Sequence, residues 1–196
     1  FGRSAPSDNL TGSENVAVGS TALDANTTAV GGTAIGHNAL GAVTTGNNNT
    51  AVGRNSGYAV TTGTENAYLG GYAGAANTGS YNVSIGSSSL GAAGDGSYNT
   101  AVGQGSLNNV TSGVGNTGIG RTAGAGITTG GNNTAVGKDS LLSNTTGSVN
   151  AAFGRGALGS VTTANSNCAF GDYALQANTA AENSAFGYRA LYTNTT

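Results

Sequence analysis

Asn49-Thr50-Ala51-Val52-Gly53 recurs outright at Asn99–Gly103 and Asn133–Gly137, and its reading decides the fold. Near-copies end at Gly19 (NVAVG), Gly36 (GTAIG), Gly70 (NAYLG), Gly86 (NVSIG), Gly120 (NTGIG), Gly154 (NAAFG), Gly171 (NCAFG) and Gly187 (NSAFG), and Phe1-Gly2 is the tail of another. The closing glycines, from Gly2 through Gly53, Gly103 and Gly137 to Gly187, stand 17 residues apart, except for intervals of 16 at Gly70–Gly86 and Gly171–Gly187. A fixed short period over the whole chain is the signature of a stacked repeat architecture. Residues 1–196 therefore read as a single repeat domain, expected to be a segment of a longer fibre.

Counting from the motif glycine as zero, position −4 is Asn in ten of eleven motifs, with Gly32 the exception. Position −1 is always apolar, from Val18 to Phe186, and position −2 is small except at Tyr68. Position +3 is Ala or Ser. Position +4 is Leu, or Gly at Gly57, Gly74 and Gly124. A Thr pair near +8 and +9 is usually closed by Gly, as in Thr61-Thr62-Gly63.

The motif alternates and ends in glycine, which suits a short strand entering a turn. Leu at +4 is expected in a second extended piece, and Thr-Thr-Gly in the next turn. The period is too short for a helix pair and its residue types disfavour helix. The predicted fold is an all-β parallel β-roll or β-solenoid of about eleven 17-residue turns. Stacking at about 4.8 Å per turn gives a rod of about 50 Å. In-register stacking puts Asn49, Asn66, Asn82, Asn99, Asn116, Asn133, Asn150, Asn167 and Asn183 into one ladder whose amides bond along the stack. Both 16-residue repeats are read as losing a residue just after +4, which places +5 to +7 in an outer loop.

Composition removes several classes. Charged residues are 7% of the chain and net charge is −2, so neither a charged disordered chain nor a nucleic-acid binder is indicated. Glycine lacks the collagen period. One cysteine, Cys168, allows no internal disulfide and reads as a small packing residue. No apolar run is long enough to span a membrane.

Two sizeable apolar side chains per turn, at −1 and +4, set against seventeen ordered residues are a thin core. A further buried surface is expected, with the Ala/Ser rows at −2 and +3 meeting neighbouring subunits around a threefold axis as a homotrimer.

The string NTAVGxxALxxxTTGxxNTAVG resembles the head repeat of trimeric autotransporter adhesins (YadA-like) and is similar to repeats of phage-type fibres. The resemblance spans the whole chain, although the turn here is longer than is usual in adhesin heads. It implies a left-handed coil with three chains to a rod. It also implies an extracellular location, on a cell surface or virion fibre, and attachment to a cell-surface glycan or protein receptor. A passive filament shaft is the alternative. Ice binding, prompted by the Thr pairs, is a weaker one because those pairs adjoin Gly-rich turns.

No catalytic constellation, cofactor or metal set is present in the sequence. His37, at +1, reads as an exposed loop residue. Gly118-x-Gly120-x-x-x-Gly124 imitates a dinucleotide fingerprint but lies within the repeat, with no βαβ unit around it. Gly137-Lys138-Asp139 lacks the rest of a phosphate-binding loop, and the acidic residues have no calcium-loop spacing. Sequons such as Asn26-Thr27-Thr28 follow from the composition of the turn.

Two features stand above this background as ligand-contact candidates. Position +1 is basic at Arg3, Arg54, Arg121, Lys138 and Arg155, the last three on successive turns. They form either a solvated row paired with Asp139 and Asp172, or a site for an anionic glycan or phosphate. Tyr58, Tyr68 and Tyr72 appear where Gly57 and Gly74 replace leucine. They either refill the lost volume or form an exposed aromatic platform. Tyr81 and Tyr98, one turn apart, are placed to stack.

Overall fold

A computed structural model describes residues 11–92 and 94–195. The Phe1-Gly2 motif tail and Arg3 lie outside the described residues. The chain is a parallel β-solenoid. Eleven three-residue strands, from Val16–Val18 to Ser184–Phe186, form one parallel sheet in sequence order. Each strand pairs in register with the next, −2 on −2: Ala34 on Ala51, Ala51 on Tyr68, Tyr68 on Ser84.

The motif glycine is required by both conformation and contact. At Gly53 φ is +136°, and an added Cβ would lie 2.6 Å from the carbonyl oxygen of Gly70 in the next turn. Any side chain at zero would push the turns apart, so the glycines stack on one another.

The second extended piece is not formed as expected. Leu at +4 sits in a tight turn with left-handed backbone, at φ between 46° and 53° from Leu23 to Leu191. An L-residue in that region costs about 1–2 kcal/mol, whereas burying a leucine returns about 1.5–3 kcal/mol. Leucine is therefore retained where its side chain is needed. Glycine, at Gly57, Gly74 and Gly124, serves where another group fills the core. Away from the main sheet, Ala177–Asn178 pairs with Thr193–Asn194, and Asn77 bridges Gly94. These pairings start in the two 16-residue repeats.

The phase of the main strand also differs from expectation. Strand residues alternate sides, and it is −2 that faces inward. Ala34, Ala51, Ala101, Ala135, Ala152 and Ala169 are wholly buried, while Leu69 at −1 is 50% exposed. The Ala/Ser rows at −2 and +3 are therefore core of the single chain, and they are not an intersubunit surface. Room there is limited: at Gly118 an added Cβ would lie 2.5 Å from Ser106 Oγ and 2.9 Å from Leu107 Cγ, and a large side chain enters only at Tyr68, where Gly57 and Gly74 stand in place of leucine. Leucine from +4 and the +7 residues (Val43, Val60, Val110, Ile127, Val161) occupy the remaining interior.

Position +7 is thus inside, contrary to the outer-loop assignment. The shorter repeats lose one threonine of the pair instead. Gly79 accepts from Asn66 Nδ2 just as Gly63 accepts from Asn49 Nδ2, which leaves Asn77 at +7. Asn77 and Asn178 are buried there and use their amides as links. Asn77 Oδ1 accepts from the Gly79 N–H and from Asn82 Nδ2. Asn178 Nδ2 donates to Asn167 Oδ1.

The −4 asparagines form a buried ladder. Asn116 Oδ1 accepts from both the backbone N–H and Nδ2 of Asn133, at 3.0 and 3.1 Å. Asn116 Nδ2 donates to Gly130 O at 2.9 Å. The Oδ1-to-backbone link repeats from Asn49 through Asn66, Asn82, Asn99, Asn116, Asn133, Asn150 and Asn167 to Asn183. Every buried amide in this run has its partners, as an apolar interior demands.

Candidate functional site

Inward placement of −2 turns −3 and −1 outward, and together they make the outer face of the sheet. The −1 row carries Val18, Ile35, Val52, Leu69, Ile85, Val102, Ile119 and Val136, then Phe153, Phe170 and Phe186. The three phenylalanines stack, with centroids 4.3 and 5.4 Å apart and ring planes within 12°. Beside them the −3 row holds Thr33, Thr50, Thr100, Thr117 and Thr134 among small residues, with half-buried Cys168 on the same face. The face is therefore apolar and solvent-facing along the sheet, with Val18, Ile35, Leu69, Ile85, Ile119, Phe170 and Phe186 exposed. Assigning the larger residue of the strand to the core missed it. Three successive phenylalanines, too large for an interior already holding Leu141, Leu158 and Leu175, were the available signal.

The basic and aromatic candidates lie on a different edge, made by +1, +2 and +5. Arg54, Arg121, Lys138 and Arg155 are all exposed. Lys138 Nζ approaches Asp139 Oδ2 at 3.5 Å, and Arg155 approaches Asp172 Oδ2 at 3.6 Å. Arg155 also lies over the Tyr173 ring, 4.8 Å from its centroid. Arg189, at +2, joins this group by lying near Tyr173, Tyr188 and Tyr192. Its +2 position lies off the basic +1 row of the repeat. Among the described residues, neither Arg54 nor Arg121 has a carboxylate at ion-pair distance.

The tyrosine candidates separate. Tyr68 is 1% exposed, so it is withdrawn from the ligand-contact set. Its ring occupies the space of two leucines: a Cβ on Gly57 would lie 2.7 Å from Tyr68 Cδ2, and one on Gly74 would lie 2.4 Å from Cε1. Its hydroxyl donates to Asn77 Oδ1 at 3.3 Å. Burial pushes that hydroxyl's pKa far above the usual tyrosine value, with the Asn82 side chain opposing weakly. Tyr58 and Tyr72 remain outside, 47% and 41% exposed, and Arg54 lies over the Tyr72 ring at 5.6 Å. Tyr81 and Tyr98 stack at 4.9 Å with planes 6° apart, on the separate −5 edge. His37 is exposed, its Nδ1 3.2 Å from Ser20 O.

Among the described residues there is no cavity, no group of side chains suited to a metal ion, and no helix long and apolar enough to cross a membrane. The molecule's class is set by its backbone: a parallel β-solenoid with one apolar sheet face and one basic–aromatic edge. No family model, curated protein or solved structure matches the chain.

Proposed function

We propose that this chain is a segment of a rigid extracellular fibre that associates in threes and presents its variable edge to a cell-surface target. The observation that carries the reading is the outward apolar row at −1, present in every turn from Val18 to Phe186. A row repeating at about 4.8 Å over about 50 Å is matched along its length by a partner of the same repeat. Another copy of this chain, parallel and in register, supplies that partner and closes as a cyclic assembly. Three is the number that the adhesin-head resemblance implies. Sheet faces meeting at the axis leave the +1, +2 and +5 edge free for contact.

Solution mass by light scattering tests this. A species of about three times 18.7 kDa is expected. Ile119→Asp with Val136→Asp, both on the outer face, should reduce it to monomer. A wild-type protein that stays folded as a monomer overturns the reading.

One observation favours ice binding as a second reading. Thr33, Thr50, Thr100, Thr117 and Thr134 at −3 stand beside aliphatic −1 residues on the one regular sheet face. That reading needs the face uncovered, so it requires a monomer showing thermal hysteresis. The two readings compete for the same surface.

A further inference from the structure

Arg54 lies over an aromatic ring and has no carboxylate within ion-pair distance, a combination that Arg189 shares among the described residues. Lys138 and Arg155 have carboxylates beside them, Arg155 with the Tyr173 ring as well. Arg121 also lacks one, but it has no ring, and the next turn places Asp139 beside its neighbour Thr122. We propose that Arg54 and Tyr72, with Tyr58 flanking them on the same edge, form a shallow site for a carboxylate-bearing saccharide. The assignment deepens the surface-attachment reading and rests on it.

The chemistry follows from the arrangement. Stacking on Tyr72 steadies the guanidinium and leaves its in-plane N–H groups to donate in pairs to a carboxylate. The Tyr72 backbone N–H donates to Arg54 O at 2.9 Å, which fixes the two residues on adjacent turns. Gly71 keeps the space beside them open, since an added Cβ there would meet nothing within 4 Å. Tyr58, at +5 of the Arg54 turn, lies toward the preceding turn, where a Cβ on Gly41 would sit 3.2 Å from its Cδ2. The site therefore offers the half-exposed Tyr72 ring beside an unneutralised cation on the adjacent turn, with the Tyr58 ring on the same edge toward the preceding turn. Among the described residues there is no cavity to enclose an apolar side chain. Flat ring faces suit the C–H face of a sugar, and the cation selects an acidic one.

Saturation-transfer NMR on the intact protein, with 3′-sialyllactose and lactose as probes, tests the site. Transfer to sialyllactose and little to lactose is expected. Arg54→Gln should weaken binding about tenfold, the loss of one charge-assisted pair, and Tyr72→Ala should abolish it. Glu182→Gln, exposed on the separate −5 edge, should leave binding unchanged. Both substituted positions in the site are exposed, so circular dichroism should report an unaltered fold. Absence of transfer, equal transfer to lactose, or an unaffected Arg54→Gln variant overturns the site. Light scattering on the same samples separates the two claims. A trimer that attaches to cells but ignores sialyllactose overturns the site and leaves the fibre reading standing. A monomer that binds sialyllactose keeps the site and overturns the fibre.

Discussion

In the turns that open at Gly137, Gly154 and Gly171, a leucine held at positive φ (Leu141, Leu158, Leu175) fills the core above a buried alanine of the strand. In the turns that open at Gly53 and Gly70, glycine holds the same backbone conformation, and one ring, Tyr68, enters from the strand to fill both places. What the solenoid keeps constant is the left-handed backbone at +4 and the volume inside. Which position supplies that volume is free to change. The turn at Gly120 gives a third arrangement: Gly118 and Gly124 replace the strand alanine and the leucine, and buried Ile127 and Leu107 close over the gap.

The sharpest way to break this equivalence is Tyr68→Ala. Removing a fully buried ring should cost about 4 kcal/mol, read as a lowered denaturation midpoint. Adding Gly57→Leu and Gly74→Leu to that variant converts the irregular turns to the regular pattern and should recover more than half of the loss. Gly74→Leu alone, against an intact Tyr68, should destabilise, because its Cβ would already sit 2.4 Å from the ring. A triple variant no more stable than Tyr68→Ala would refute the exchange of volume.

The two regions share the asparagine ladder, so damage to it should be indifferent to how the core is filled. Asn116→Ala removes the acceptor for the Asn133 N–H and the donor to Gly130 O. Leaving those groups buried and unpaired should cost about 3 kcal/mol. Asn66→Ala, among the irregular turns, should cost a similar amount by chemical denaturation. A large disparity would mean that Tyr68 and Asn77 have taken over part of the ladder's role.

The smallest effect distinguishes the regions by pH. Tyr68 is the buried tyrosine, and its pKa in the folded chain is raised above the ordinary value of 10. The unfolded chain therefore loses this proton first as pH climbs. Its contribution to stability is complete below pH 10 and falls by about 1.4 kcal/mol per unit above it. Tyr68→Phe should remove that slope. An unchanged alkaline slope would place its origin elsewhere.

Much of this architecture was legible in the residues. The 17-residue period, the strand in Asn-x-Ala-Val-Gly and the ladder all follow from spacing. The direction of the strand's side chains did not, because three residues alternate equally well in either phase. Size suggested Val inside and Ala outside, whereas the narrow interior admits only the small residue wherever Leu107 or a counterpart already fills it, and takes Tyr68 where glycine stands instead. The left-handed turn was signalled by the exchange of Leu with Gly at one position, since glycine replaces a core residue without strain chiefly where φ is positive. The edge candidates were visible as breaks in the pattern. The alternation of Thr50-Ala51-Val52, carried to Ala67-Tyr68-Leu69, is what sends Tyr68 inward and leaves Tyr58 and Tyr72 as candidates.

The ladder also gives the rod a direction in time. Each asparagine Oδ1 waits as an acceptor for the amide of the turn made after it, as Asn49 does for Asn66. A chain emerging with its N-terminus first thus meets a finished template for every new turn. In a structure where each repeat touches only its neighbours, growth by successive templating lets a solenoid of many turns form without first gathering distant parts of its sequence.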